Sequence, residues 1–502
     1  MRHGSSWALA VLLVAAVTSA CGTTVPAAQI PQGAGGGNGL AAPTTAPTTG
    51  SGSTLPGQGL GTGAVPGTGT SGQGSSGSGP QASAPSAPGV ISSPGSTSAG
   101  SATGPLKIGV LDAKSPAAAA AATGAQNAAG VDPAELTRAF LRYYNAHGGM
   151  AGRTLQPVEY TIDPTSSSYE NDLSAACAKF TQDNHVQLVI SQTGNAFSGN
   201  YERCLTKAHV SNLEVGNGAP DAASLKSYPG LYTTSAPSID RRVTAQLRGL
   251  TATGLLTRST PIGVIVENCP ENARAYTSTL VPLARSLGLT LDRRDVNCVT
   301  GFSDAGAFFA QVGSAVLPYN SAGVSRVMFI TSFEVAALQA FENQAQAQAY
   351  RPSYILSSIA STATQAGQYT ADAQKRMFGV GWVPVLDTTG VPQSAAAKRC
   401  LAIAHAEGET ISNQSDYVFL LQVCDLFGAL DAALIAANGH TDESSFDGGL
   451  DLAMRSYQSS NVLGGRLRLG RGGHDGPPVF APFGQVSSCG CFRYLTKPQA
   501  LA

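Results

Sequence analysis

The residues best suited to binding a small molecule follow a short apolar run in the first half of the chain. The run VQLVIS, residues 186–191, precedes QTGNAFSGN, residues 192–200, which contains Thr193, Asn195 and Ser198 just before a predicted helix. Hydroxyl and free backbone N–H groups at a helix N-terminus favour an anionic group such as a carboxylate. The pattern therefore predicts an anion-binding loop, although capping and turn chemistry would use the same residue types.

Polar residues also follow other runs that the sequence predicts to be strands. Parallel α/β sheets bind their ligands beyond the carboxyl ends of the strands, so these residues are candidates for one shared site. They are Asp112 and Asn217 from the first half of the chain, and Glu267, Asn268, Ser332, Phe333, Glu334 and Ser357 from the second. Taken as a set, we predict that they bind a ligand.

The sequence lacks the motifs of common catalytic and nucleotide-binding sites. The predicted folded region has no GxSxG nucleophile elbow, no Walker A loop, no HExxH and no CxxC. His405 and Glu407 form an HxE pair, but the PCxxC segment of zinc deaminases does not follow. Cys489 and Cys491 are separated by one glycine and have no further Cys or His cluster nearby to complete a metal site. We therefore expect no enzyme activity, no cofactor and no metal.

The candidate residues need a scaffold, and the sequence predicts alternating strands and helices. LKIGVLD (106–112) predicts a strand, and VDPAELTRAFLRYYNAHGG (131–149) predicts a helix that begins at Asp132 and ends at two glycines. The alternation starts again at PIGVIVEN (261–268). Strands separated by helices imply right-handed crossovers and parallel sheets. The predicted fold class is α/β, with two doubly wound parallel-sheet lobes.

The N-terminal residues predict export. Arg2 precedes an apolar run at residues 7–17, and small residues then lead to Cys21. This is the pattern of a secretory signal peptide over residues 1–20. The run is too short for a transmembrane anchor, which needs about 20 apolar residues. The segment VTSACG resembles a bacterial lipobox, which implies lipidation of Cys21, while ordinary secretion stays open.

Charge separates a linker from a folded body. The 502 residues include 30 Lys plus Arg and 31 Asp plus Glu, for a net charge of −1, which argues against nucleic acid as a partner. No charged residue lies between Arg2 and Lys107. Residues 21–104, rich in Gly, Ser, Thr, Pro and Ala, bury too little apolar surface to fold. We predict a lipidated Cys21 followed by a disordered linker.

The folded region resembles a known family. FLRYYNAHGGMAGRTLQPVEYTID carries N-x-x-G-G-x-x-G-R-x-L at residues 145–155, where a helix must turn into a strand. Together with LKIGVLD, VQLVISQTGNAFSGN and SDYVFLLQVCDLFGALDAALIAANG, it resembles the type I periplasmic solute-binding proteins, specifically the branched-chain amino acid receptor (leucine-binding protein-like) family. The resemblance covers about residues 106–487, and the alternation within residues 464–486 suggests a closing hairpin.

The resemblance implies two lobes that close on a ligand about a three-strand hinge. Lobe one would comprise residues 106–235 plus 384–460, and lobe two residues 236–383 plus 461–502. The chain would cross between the lobes near residues 235–237, 383–384 and 460–461.

The cysteines of an exported chain suggest disulfides, and the implied lobes restrict the pairing. Eight cysteines follow Cys21, and the lobe division places four in each lobe. The predicted pairs are Cys177–Cys204, Cys269–Cys298, Cys400–Cys424 and Cys489–Cys491. None would cross the hinge.

The resemblance implies solute binding, with one departure that concerns the ligand. Amino acid receptors of this family place an acidic residue after the strand that corresponds to SYILSS (353–358), where this chain has Ile359 and Ala360. Glu267 or Glu334 would replace that acid only if its side chain reaches the cleft. We predict a lipid-anchored protein on the outer face of the cell membrane that binds a small polar solute, such as an amino acid, for the membrane permease of an ABC importer. A ligand-sensing lipoprotein and a secreted hydrolase stay open as alternatives.

Overall fold

Two β-sheets organise the part of the chain that can be described. The computed structural model describes residues 102–114, 130–163, 166, 168–192, 198–216, 218, 220–258 and 261–501. The first sheet contains β1 (Leu106–Ala113), β2 (Leu155–Ile162), β3 (Leu188–Ser191), β4 (Ser211–Glu214) and β5 (Leu231–Thr233). Its order is β2-β1-β3-β4-β5, and every neighbouring pair is parallel.

The second sheet is mixed. Its strands are β6 (Ile262–Glu267), β7 (Leu291–Val296), β8 (Arg326–Ile330), β9 (Ser353–Ser357), β10 (Met377–Gly381), β11 (Val479–Val486), β12 (Cys491–Tyr494) and β13 (Gln499–Ala500). The order is β12-β11-β10-β9-β8-β6-β7, with β13 paired to β11. Strands β6 to β10 are parallel, while β11 runs antiparallel to β10, β12 and β13.

Helices cover both faces of each sheet. In chain order they are α1 (Pro133–Ala146), α2 (Tyr169–Ala178), α3 (Gly199–Lys207), α4 (Ala222–Ser227), α5 (Ile239–Ala252), α6 (Pro270–Ala275), α7 (Val281–Leu287), α8 (Ala305–Ser314), α9 (Val316–Ser321), α10 (Glu334–Ala347), α11 (Ala371–Lys375), α12 (Pro384–Asp387), α13 (Ala395–Ala406), α14 (Gln414–Ala436) and α15 (Glu443–Ala453). We call the first sheet with its helices lobe one, and the second sheet with its helices lobe two. Each lobe has two cores, one on either face of its sheet.

The continuous apolar runs of the central strands explain this layering. All six residues of β6 are buried, which requires cover on both faces of the sheet. Gly263 within β6 leaves space for the ring of Tyr319, since a Cβ at this position would lie 2.8 Å from that ring. The predicted α/β class with two doubly wound lobes is confirmed.

The motif at residues 145–155 fixes the entry of the chain into lobe one. Asn145, at the end of α1, bonds both the N–H and the carbonyl of Leu155 at the start of β2. Gly149 has φ +79°, and a Cβ there would overlap the carbonyl of Arg153, so glycine is required. Arg153 is buried and donates to the carbonyls of Gly104, at 3.0 Å, and of Pro105, at 3.1 Å. These bonds hold the start of the folded region against the amino end of β1.

The long apolar helix α14 forms the centre of one core of lobe one. It packs against α1, α13 and α15, and its Phe427 ring lies 5.5 Å from that of Phe140 and 5.8 Å from that of Tyr144, centroid to centroid. Among the described residues it is the one helix long and apolar enough to cross a membrane, but 67% of its most apolar window is buried. Its hydropathy is therefore that of a core helix.

The closing hairpin lies later in the chain than the alternation of residues 464–486 suggested. Strand β11 pairs with β12 through a turn at residues 487–490, whereas residues 464–478 contain no strand within the described structure. Gly470, Gly472, Gly473 and the Pro477-Pro478 pair explain the difference, because they disfavour a continuous strand. This segment instead contributes Leu467 and Leu469 to the core of lobe one, although the predicted lobe division placed it in lobe two.

The structure contains the four disulfides that the sequence analysis paired: Cys177–Cys204, Cys269–Cys298, Cys400–Cys424 and Cys489–Cys491. The first joins α2 to α3, and the third joins α13 to α14. The second links the segments that follow β6 and β7, and the fourth closes the turn between β11 and β12. Each disulfide therefore ties elements of one lobe together.

Replacing Phe427 with alanine tests the core of lobe one. Phe427 is fully buried, so F427A should lower the free energy of unfolding by about 3–5 kcal/mol, through lost apolar burial and the cavity left behind. Denaturant unfolding measures the change. Ile435→Ala on the same helix is the control; its side chain is 42% exposed, and its effect should stay within about 1 kcal/mol. Equal losses in the two variants would contradict this assignment of the core.

Candidate functional site

Three segments at the junction of the two lobes lie side by side. The indole Nε1 of Trp382 donates to the carbonyl of Ser235 at 2.8 Å, and Nδ2 of Asn461 donates to Oγ of Ser235 at 3.0 Å. The N–H of Leu463 donates to the carbonyl of Trp382 at 2.7 Å. Residues near the three implied crossings thus meet in one hydrogen-bonded group. After Asn461, however, the chain still packs in lobe one through Leu467 and Leu469, and the N–H of Gly476 donates to the carbonyl of Thr233 before β11 begins. A few torsions in such a group can rotate one lobe against the other.

The carboxyl ends of the strands in the two lobes face each other. Arg274 of α6, which follows β6, donates to both carboxylate oxygens of Asp221, which precedes α4, at 2.7 and 2.9 Å. Gly301, in the loop after β7, lies against Ser166 and Tyr169, which follow β2. Contacts between the lobes therefore form at two places. The cleft between them is where candidate residues of both lobes can meet one ligand.

Asp112, at the end of β1, has little hydrogen bonding to the part of the chain that the structure describes. It is 2% exposed, and its carboxylate has one hydrogen bond to a described residue, from Oγ1 of Thr137 at 3.3 Å. Burial raises the pKa of Asp112 to about 7, because the bond from Thr137 offsets only part of the cost of removing the charge from water. Thr137 also accepts from the amide of Gln192, whose Oε1 is buried without a partner among the described residues. Neither Thr137 nor Gln192 was predicted from the sequence.

Ser198 is engaged within lobe one. Its Oγ accepts the N–H of Tyr201, which caps α3, and donates to the carboxylate of Glu170 at 2.9 Å. The capping alternative accounts for these bonds. The other predicted residues of the same edge, Thr193, Asn195 and Asn217, lie outside the described residues, as does Cys21.

Glu267 and Glu334 join the ends of neighbouring strands in lobe two. Glu267 accepts the backbone N–H of Ser332 at 2.7 Å and that of Val299 at 2.9 Å. Glu334 accepts the backbone N–H of Ser357 at 2.8 Å, and also its hydroxyl. Both glutamates are 0% exposed, and burial raises the pKa of each against the opposing effect of these bonds. The structure thus brings Glu267, Ser332, Glu334 and Ser357 together, but neither carboxylate reaches the cleft surface to replace the missing acid.

Asn268 and Phe333 are the predicted residues of lobe two that lie nearer the surface. Asn268 is exposed directly after β6, and Phe333 is partly buried directly before α10. The Phe333 ring packs edge-on against Phe308, with the centroids 6.4 Å apart. An amide and an aromatic ring at this edge can supply a hydrogen bond and an apolar contact to a small molecule.

Two buried polar side chains of α5 were missed by the sequence analysis. Arg242 is 2% and Gln246 0% exposed. Nη1 of Arg242 lies 4.0 Å from Oε2 of Glu334, while Nε of Arg242 and both amide atoms of Gln246 have no hydrogen-bond partner among the described residues. An unpaired buried polar group costs about 1–3 kcal/mol, and a charged one costs more. The sequence signal was their position on the apolar face of α5, one turn apart.

One group of three residues has the spacing of a metal site, but its two cysteines form a disulfide. Ligand-type atoms of Glu267, Cys269 and Cys298 lie within 4.8 Å of one another. The two cysteines are bonded to each other, so they offer no thiolate, which is the form that binds a metal. Across the described ranges, no other group of three such residues is close enough to hold an ion.

A hollow of about 370 Å³ lies beside the N-termini of α1 and α14 rather than between the lobes. Its buried carboxylate, Asp416, accepts the backbone N–H of Gly130 at 2.6 Å, of Val131 at 3.0 Å and of Ser412 at 3.1 Å. Asp416 therefore holds two chain segments together and is already saturated. The buried carboxylate of this hollow is therefore a structural group, and the hollow lies away from the strand ends where the predicted residues are placed.

Comparison with known proteins places the fold. No family model matches the chain, and no curated protein sequence matches it. Among solved structures, it is similar to a branched-chain amino acid ABC transporter from Thermus thermophilus with bound valine, at 13% identity and a TM-score of 0.56 over 79% of this chain and 97% of that one. An ABC transporter substrate-binding protein from Aeropyrum pernix is 11% identical, with a TM-score of 0.58 over 79% and 96%.

A third similar structure is a solute-binding protein of an ABC transporter from R. palustris in complex with 4-hydroxybenzoate. It is 12% identical, with a TM-score of 0.55 over 79% of this chain and 97% of that one. At these identities the likeness establishes the fold. The chain has the type I periplasmic binding protein fold.

Replacing Asp112 with asparagine tests the electrostatics at the end of β1. The folded-state pKa of about 7 lies above the ordinary value of 3.8, so charging Asp112 is harder in the folded chain. Stability from the neutral acid is complete below about pH 4 and is lost as the pH rises through 7. Because asparagine does not ionise, D112N should gain stability relative to wild type between pH 5 and pH 8.

Denaturant unfolding at the two pH values measures this gain. Asp183→Asn is the control, because Asp183 is exposed and its replacement should change stability equally at both. A D112N difference that is the same at pH 5 and pH 8 would contradict the raised pKa.

Proposed function

We propose that this chain is an exported lipoprotein that binds a small polar solute between its two lobes and delivers it to the permease of an ABC importer. The observation that carries the proposal is the meeting of the carboxyl ends of parallel strands from the two sheets, which are in contact through Arg274 and Asp221, beside the hydrogen-bonded junction of Ser235, Trp382 and Asn461. In the proposed location, Cys21 is attached to lipid at the outer face of the cell membrane, and residues 21–104 are a flexible linker.

The proposed site uses groups that keep capacity for a ligand. In lobe one these are Asp112 and Gln192, together with the predicted residues Thr193, Asn195 and Asn217. Ser198, also predicted, caps the helix beside them. Lobe two supplies Asn268 and Phe333 at the surface. Beneath them, Glu267 holds Ser332 and Glu334 holds Ser357 through hydrogen bonds. These bonds fix the backbone at the ends of β8 and β9, which would line the bottom of the cleft. A solute held by both lobes would favour the closed arrangement, because each lobe gains contacts only after closure.

The similar structures support a transport role over a catalytic one. Their descriptions name ABC transporters, with valine bound in one and 4-hydroxybenzoate in another. Both are small polar solutes. We propose no reaction on the ligand, in keeping with the lack of catalytic motifs in the sequence.

Trp382 offers a direct test of ligand-induced closure. The sequence has two tryptophans, Trp7 and Trp382, and processing before Cys21 leaves only the second, within the hinge. We expect a cognate solute to change the fluorescence of Trp382 and to reduce the radius of gyration measured by X-ray scattering. At 100 times its Kd the solute should also stabilise the protein by about 2.7 kcal/mol.

The screen should cover amino acids, their amides, hydroxybenzoates, sugars and small acids. Trp382→Phe is the control; it should lose the fluorescence response but keep the thermal stabilisation by the same solute. If no compound stabilises the protein and none co-purifies in native mass spectrometry, solute capture is wrong. Binding without a change in the radius of gyration would contradict closure.

A further inference from the structure

The guanidinium of Arg242 is buried and charged, but it lacks hydrogen-bond partners among the described residues. Its guanidinium is buried, yet it forms no hydrogen bond with any described residue, and its single ion pair, to Glu334, is long at 4.0 Å. Guanidinium has five N–H donors in a planar fork. Buried donors in native proteins are nearly always paired, with protein, ordered water or ligand. The unpaired state of Arg242 therefore indicates a missing partner.

Nearby acids do not supply that partner. Glu334 directs its oxygens to the N–H and the hydroxyl of Ser357, and Glu267 directs its oxygens to the N–H groups of Val299 and Ser332. Both carboxylates are thus engaged with the strand ends. They supply the guanidinium with a favourable field but with no hydrogen bond.

Gln246 adds a second group without a partner. It lies four residues after Arg242 on α5, and residues four apart share one face of a helix. Gln246 is fully buried, and neither its Oε1 nor its Nε2 has a partner among the described residues. The two side chains together present a fork of cationic donors and an amide on one face.

The position of Arg242 places this pair beside the cleft. Helix α5 begins directly after the hinge crossing at Ser235, and Arg242 lies in its first turns. The charged neighbours of the guanidinium, Glu267 and Glu334, stand at the end of β6 and at the start of the helix after β8. Both positions belong to the sheet edge that faces lobe one. Arg242 therefore lies directly beneath the edge of lobe two that faces lobe one, with Gln246 one helical turn further along α5.

We propose that Arg242 and Gln246 form a subsite in lobe two for a carboxylate group of the bound solute. A planar carboxylate matches the guanidinium fork with two parallel hydrogen bonds, and the amide N–H of Gln246 can add a third. This proposal rests on the proposed solute-binding function. It reverses the arrangement that the resemblance implied for lobe two, where an acid would hold an ammonium group.

The test compares carboxylates with their own neutral amides. Isothermal titration of the full processed chain would use valine against valinamide, 4-hydroxybenzoate against 4-hydroxybenzamide, and acetate against acetamide. For at least one pair, wild type should bind the carboxylate at least tenfold more tightly than the amide. Arg242→Gln should remove that preference, weakening the carboxylate at least tenfold while changing the amide less than threefold.

Three further variants distinguish a subsite from a structural role. Glu334→Gln removes a negative charge near the guanidinium and should tighten carboxylate binding several-fold; if lobe two instead held a cation, the same variant would weaken binding. Arg248→Gln on the exposed face of α5 is the matched control and should leave both affinities unchanged. Circular dichroism of each variant verifies folding. Arg242→Lys keeps the positive charge but lacks the planar guanidinium, so it should keep only part of the preference for carboxylate over amide.

The outcomes separate the two proposals. If the wild-type protein binds amides, sugars or cationic solutes but no carboxylate, the solute-binding function stands and the carboxylate subsite is wrong. An unchanged carboxylate affinity in folded Arg242→Gln also overturns it. No binding of any compound in the wider screen overturns the function, and the subsite falls with it.

Discussion

Parallel strands all end at the same edge of their sheet, and the rest of this structure depends on that constraint. The last backbone N–H and carbonyl groups of the strands then lack partners within the sheet, and the edge must also present polar groups to the cleft. In lobe two, buried carboxylates take up the free N–H groups: Glu267 and Glu334 each accept them from neighbouring strand ends. Asp387 does the same after β10, accepting the N–H of Val383 at 2.9 Å and the hydroxyl of Tyr494 at 2.7 Å. These bonds make the strand ends of lobe two rigid.

The hinge is stabilised differently from the lobes. Within the lobes, apolar layers and four disulfides fix the helices and strands, and no disulfide joins one sheet to the other. At the junction of the lobes, the crossings near Ser235 and Trp382 are held by hydrogen bonds that join Ser235 to Trp382 and to Asn461. Such bonds contribute only about 0.5–1.5 kcal/mol each, so they position the crossings without preventing their torsions from changing.

The fold was predictable because its signals are local and periodic. The apolar run of β6, the Asp132 cap of α1 and the glycine turn after Asn145 each specify one element from neighbouring residues alone. The hairpin was misplaced because residues 464–470 alternate like a strand, while the glycines and prolines that follow interrupt it. The disulfides followed once the lobes limited which cysteines could meet.

The site was less predictable because side-chain direction depends on the packed structure. Glu267 and Glu334 have the residue type and position of ligand groups, yet both turn inward to neighbouring strand ends. Conversely, Thr137 and Gln192 lie beside Asp112 only after α1 and β3 pack together. The sequence shows that Arg242 is a polar residue on the apolar face of its helix. Its lack of a hydrogen-bond partner can be seen only in the three-dimensional structure.

The anchoring of the first described residues has a consequence for how the protein is oriented. Arg153 holds Gly104 and Pro105 beside the amino end of β1, and Ala102 donates its N–H to the carbonyl of Asn438. The polypeptide thus joins lobe one on the side opposite the cleft mouth. The edge of lobe one at which its strands end, facing lobe two, is therefore clear of the point where the described chain begins.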